Sequence, residues 1–170
     1  MNKDRRKTTQ FLSELLIHTR LNGPAKYWAK EVSLDYGHGK GIEKRVDFLQ
    51  FEPVNQKGID GIEKGVFTCY EVKSCKADFQ SGCGMNFVGE KNYLVMPMFL
   101  YKQVINELPA NVGVLVAVPE GRDPYDEFTD PTPLDAPNIS WKLHTIFHAQ
   151  ALPRTKSMTE LLFCMLRSGK

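Results

Sequence analysis

Hydrophobic positions along the chain follow two periods, and the switch between them marks the elements. Phe11, Leu12, Leu15, Leu16 and Thr19 recur at helical spacing, which predicts a first helix from a Thr8 or Thr9 cap to about Leu21, stopped by Gly23-Pro24. Residues 27–34 and 45–51 read as strands, and the turn-rich run 35–41 as the hairpin between them. Residues 53–65 are polar and glycine-punctuated and read as a loop. The run Gly65-Val-Phe-Thr-Cys-Tyr-Glu-Val-Lys-Ser74 is rich in β-branched and aromatic residues and reads as a core strand. Ser74 then caps a short helix to about Ser81, and Gly82, Gly84 and Gly89 make the next stretch a loop. Residues 93–96 form a compact buried strand, and Pro97 suits the first turn of a helix running to Leu108. The unbroken apolar run 112–118 is the pattern of a strand covered on both faces. Residues 119–138 read as an acidic, proline-bearing loop and 141–147 as a final strand. Ser157-Met-Thr-Glu160 is a capping-box signature for a last helix that ends at Gly169. The order is αβββαβαβ, then a strand and a helix: an α/β protein with a mixed sheet flanked by helices.

At 170 residues the chain has the length of one well-packed domain. No apolar run reaches membrane-spanning length, and the N-terminus leads into a helical pattern rather than a signal-peptide block. A cytoplasmic protein with no membrane role is expected. The four cysteines (Cys69, Cys75, Cys83, Cys164) include no Cys-x-x-Cys pair. Reduced, buried thiols are expected rather than disulfides or a metal cluster. The net charge of +2 conceals an asymmetry: residues 120–135 carry −5, and the rest of the chain +7. A basic body with one acidic segment is compatible with a nucleic-acid partner.

Candidate chemistry centres on the end of the core strand. Side chains alternate faces along a strand, so Phe67, Cys69, Glu71 and Lys73 share one face. A lone acid, Asp47, lies on the preceding strand among apolar neighbours. Pairing of the two strands brings Asp47, Glu71 and Lys73 to one point. Two carboxylates and a backbone carbonyl, such as that of Val72, suit Mg²⁺, which prefers oxygen ligands and keeps several waters; Mn²⁺ has similar ligand chemistry. Lys73 is placed to orient a water or to offset charge on a phosphodiester. Lys76 and Lys91 are candidates for DNA phosphates. His144 and His148 share a strand face but stand about 13 Å apart, too far for one metal ion.

Asp47, preceded by Arg45-Val46, together with Glu71-Val72-Lys73, resembles the motif of the PD-(D/E)XK nuclease superfamily, with Val46 in place of the usual proline. The run Tyr70-Glu-Val-Lys-Ser-Cys-Lys-Ala-Asp-Phe79 and the later Lys91-Asn-Tyr-Leu-Val-Met-Pro97 are more specifically similar to the MmcB-like DNA-repair branch. The resemblance covers residues 8–118. It implies a restriction-endonuclease-like αβββαβ core with an added C-terminal strand and helix. It also implies a Mg²⁺-dependent DNA endonuclease, in DNA repair or phage DNA metabolism, with Asp47, Glu71 and Lys73 as its working residues. By position, Glu14 resembles the first-helix glutamate that some members point at the metal. A DNA-binding or partner-binding protein that kept the fold without catalysis is the alternative, and a homodimer is allowed.

Overall fold

The computed structural model describes residues 3–34, 44–55 and 58–168. The expected 35–41 hairpin turn and the helix end at Gly169 lie outside them. Six strands form one sheet in chain order: β1 (Tyr27–Ser33), β2 (Arg45–Glu52), β3 (Val66–Val72), β4 (Lys91–Pro97), β5 (Gly113–Pro119) and β6 (Trp141–Phe147). The first three pair antiparallel, β3–β4–β5 pair parallel, and β6 returns antiparallel along β5. Parallel neighbours need a crossover. Helix α3 (Lys76–Gln80) lies in the first one, and α4 (Met98–Val104), with a 3₁₀ turn at Ile105–Glu107, in the second. The expected αβββαβ order is interrupted by one short helix between the second and third strands, and the protein is α/β with a mixed six-stranded sheet flanked by helices.

Apolar faces explain the layers. Helix α1 (Lys3–Leu16), continued by a π-helical turn at Ile17–Leu21, buries Leu12, Leu16 and Leu21 against Tyr70, Val72, Val95 and Leu115. On the other sheet face, α6 (Met158–Arg167) packs Leu161, Cys164 and Met165 against Leu49, Phe51, Phe67 and Cys69. Farther along that face α3 and α4 pack Phe79, Met98, Leu100 and Val104 against Leu94, Met96, Val114 and Val116. Every residue of β5 is buried, as its unbroken apolar run requires. The cap at Ser157 forms, its Oγ accepting from the Glu160 N–H at 3.1 Å.

Several boundaries differ from the sequence reading. Helix α1 begins by Lys3, not at Thr8 or Thr9. The Thr9 hydroxyl donates back to the Arg5 carbonyl at 3.0 Å, as a threonine inside a helix does. Residues 53–65 hold a short helix, α2 (Ile59–Glu63), and the acidic segment holds another, α5 (Pro124–Thr129), capped by Asp123 accepting from the Tyr125 N–H at 2.8 Å. Pro97 ends β4 and precedes α4, and helical structure stops at Glu107 rather than Leu108. Cys69 and Cys164 are buried as expected, but Cys75 is half-buried and Cys83 exposed. Among the described residues no helix is long and apolar enough to cross a membrane.

Candidate active site

The β2–β3 register pairs Phe48 with Tyr70, so the next position sets Asp47 opposite Glu71. The β1–β2 register, Lys30 with Phe48 and Val32 with Val46, places Glu31 opposite Asp47 on the other side. Cross-strand partners share a face, so Glu31, Asp47 and Glu71 form a row of acids across three strands. The expected convergence of Asp47, Glu71 and Lys73 is present. All three line one cavity of about 460 Å³ that also takes in Val72, Arg5 and Arg6.

Each site residue has a distinct environment. Asp47 Oδ2 accepts the Val72 N–H at 2.8 Å. Glu71 is 0 % exposed, and no donor reaches either carboxyl oxygen. The polar group beside it is the Asp47 carboxyl, and two carboxyls bond each other only through a proton held between them. Burial first, and then the Asp47 charge, push Glu71 well above the usual carboxylate range. Burial also raises Asp47, while the Val72 N–H and the Lys73 charge favour its ionised form. Burial and mutual repulsion thus both favour a protonated form of the metal-free pair, against the Lys73 charge, which favours ionisation of both. Lys73 is 3 % exposed. Its N–H donates to the Val95 carbonyl at 2.9 Å, extending the parallel ladder, and its Nζ donates to the Cys83 carbonyl at 2.5 Å.

Cys83 belongs to the strap that follows α3. Gly84 in this strap has φ +75°, and a Cβ there would lie 2.8 Å from Glu71 Oε2 and 3.4 Å from Lys73 Nζ. The glycine is needed twice, for its left-handed backbone and for its close approach to the acid pair.

The remaining predicted residues lie elsewhere. Glu14 is exposed on α1 and accepts from Gln10 Nε2 at 2.9 Å. It does not line the cavity, whereas Gln10, one turn earlier, does. Lys76 pairs with Glu107 at 3.3 Å. Lys91 starts β4 beside Thr68, three positions before Glu71, on a face that alternation sets opposite to it. Neither lysine lines the cavity. Besides Lys73, the cations that do are Arg5, Arg6 and Arg45. Arg5 bonds Asp78 at 2.5 Å and so ties α1 to α3. Arg45 pairs with Glu31 at 2.5 Å. The arginines of the first helical turns carry no apolar periodicity, so hydrophobic spacing could not include them in α1. Their only signal was a basic N-terminal run. Glu31 was hidden in a strand read for its apolar positions.

Among the described residues no cluster of three or more His, Cys, Asp or Glu side chains is arranged to hold a metal ion. The Asp47–Glu71 pair nevertheless has the donor chemistry of a hard cation. It offers carboxylate oxygens, two of them buried without a donor, and Mg²⁺ completes its sphere with water.

No protein-family profile matches the chain, and no curated protein matches it. Among solved structures the chain is similar to a protein of unknown function from Silicibacter pomeroyi. The two are 16% identical and superpose with a TM-score of 0.56 over 93% of this chain and 82% of that one. At that identity the likeness bears on the fold alone.

Proposed function

We propose that the chain is a Mg²⁺-dependent deoxyribonuclease that hydrolyses DNA phosphodiester bonds at Asp47, Glu71 and Lys73. The observation that carries this reading is Glu71, a fully buried carboxyl with no donor, beside Asp47 on the floor of a cation-rimmed cavity. A structural carboxyl buried this deeply is normally given donors. One without them, next to a second carboxyl, matches what a divalent cation requires. Asp47 and Glu71 would hold the ion, with the Val72 carbonyl as a third oxygen. A bound divalent ion supplies polarisation of the phosphate and a lowered pKa for an attacking water. Lys73 contributes a compact positive charge at the transferring phosphate, a role that arginine would not fill equally.

One observation favours the alternative, a DNA-binding or partner-binding protein without catalysis. Gly84 packs on Glu71, and Lys73 Nζ is engaged by the Cys83 carbonyl. Incubation of plasmid, single-stranded and branched DNA with the protein in Mg²⁺ and in chelator separates the two. Cleavage in Mg²⁺ alone is expected, falling roughly 100-fold or more in Asp47→Asn, Glu71→Gln and Lys73→Met. Binding of DNA with no cleavage of any substrate would leave the binding reading standing.

A further inference from the structure

Two cavities meet over Asp47. The first opens toward α1 and is lined there by Arg5 and Arg6. The second, about 570 Å³, opens toward the start of β2 and the strap, with Lys44 and Asn86 in its wall. They share Arg45, Asp47, Cys83 and Gly84, so Asp47 lies at their junction, with Glu71 beside it in the first cavity. Arg5 and Arg45 are engaged by Asp78 and Glu31. Arg6 and Lys44 differ from them. Both are exposed, and among the described residues neither side chain has a hydrogen-bond or ion-pair partner. Each lines one cavity and not the other.

A single phosphate group is gripped by convergent donors. Two unpaired cations on separate sides of an acidic centre instead suit an extended polyanion that passes over it, held where its charges meet the cations. We propose that the two cavities form one track for a nucleic-acid strand, with backbone phosphates at Arg6 on one side of Asp47 and at Lys44 on the other. This assignment rests on the nucleic-acid reading above and adds where the strand runs. The contacts are to phosphate, so they position the strand and carry no sequence preference. Lys91, which lines neither cavity, takes no part.

The test is anisotropy of fluorescein-labelled oligonucleotides of about 20 nucleotides, single-stranded and duplex, titrated in chelator from about 20 to 200 mM salt. Arg6→Ala and Lys44→Ala are each expected to weaken binding roughly threefold or more at low salt. Each should reduce the slope of log K against log salt by about 0.7 for single strands and about 0.9 for duplex. The double variant should show the sum, and Lys91→Ala neither effect, with melting temperatures unchanged throughout. A wild type that binds, with an unchanged slope in either Arg6→Ala or Lys44→Ala, overturns the track and leaves the proposed function intact. A loss of slope in Lys91→Ala overturns the track as well. A wild type that binds no oligonucleotide at the lowest salt overturns the nucleic-acid reading and the track with it.

Discussion

Glu71 is the residue at which burial and ionisation pull in opposite directions. In the unfolded chain its carboxyl ionises near 4.5, and in the fold burial and the Asp47 charge raise that value. Above pH 4.5 the folded protein therefore holds a proton that the unfolded chain has released, and folding takes one up. Stability that depends on proton uptake is fully present below the unfolded pKa and is lost as pH rises toward the folded one. Asp47 is shifted in the same direction and adds to the same trend. Glutamine has the shape of the protonated carboxyl and does not titrate. In chelator, Glu71→Gln should match the wild type near pH 4.5 and become progressively more stable than it as pH rises, by up to roughly 1.4 kcal/mol per pH unit. Urea melts at several pH values read this difference, and a pH-independent difference would show that Glu71 does not hold the proton. The triad of Asp47, Glu71 and Lys73 was legible from strand alternation and one lone acid. The row was only partly legible, because nothing in the spacing of Glu31 ties it to Asp47 until β1 and β2 are in register.

At the scale of elements, the strap from Ser81 to Asn86 closes the site, and two of its glycines separate backbone from contact. Gly82 (φ +65°) and Gly84 (φ +75°) both occupy the left-handed region. An added Cβ at Gly82 meets nothing within 4 Å, whereas at Gly84 it meets Glu71 Oε2 at 2.8 Å. Gly82→Ala should cost about 1 kcal/mol, the left-handed penalty alone. Gly84→Ala should cost roughly 1 kcal/mol or more beyond that, because the strap or Glu71 must move. If the acid pair holds Mg²⁺ as proposed, only Gly84→Ala should also change the stabilisation that added Mg²⁺ gives by mass action. Thermal melts of both variants, with and without Mg²⁺, check this; equal losses and equal metal responses would mean that the strap does not bear on the acid pair. Glycines 82 and 84 announced a loop in the sequence, but not what the loop covers. Helices α2 and α5 escaped for a related reason. At five and six residues they are too short to show a repeating apolar face, and α5 is held instead by its Asp123 cap and Pro124. Six strands and the two longest helices, by contrast, each carry enough periodic or continuous apolar character to be found.

Over the whole molecule the question is what the acidic segment 120–135 does to the basic remainder. Its acids are not equivalent. Glu127 is 1 % exposed and accepts from the Thr132 N–H at 2.7 Å, the Thr132 hydroxyl at 2.8 Å and Arg122 Nε at 3.1 Å. Arg122 in turn donates to the Asp130 carbonyl at 2.7 Å, so the pair stitches the segment to itself. Asp126 and Asp135 are exposed, and none of the segment's acids lines either cavity at the acid pair. Asp135 borders a separate cavity with Asp4, Lys7 and Phe11. Two substitutions in one segment should therefore behave oppositely. Glu127→Gln weakens a charge-assisted, buried pair and should cost on the order of 1–3 kcal/mol of stability while leaving DNA affinity unchanged. Asp126→Asn combined with Asp135→Asn should leave stability unchanged and act on affinity only through the long-range field. That field falls off over about 10 Å at 0.1 M salt, so a gain of no more than about twofold is expected at 20 mM salt, vanishing by roughly 150 mM. Urea melts and oligonucleotide anisotropy on the same preparations separate the two effects. A gain of tenfold or more in the double variant that persists at high salt would mean that the strand passes directly over the acidic segment. A stability-neutral Glu127→Gln would mean that Arg122 finds its partner elsewhere in the segment.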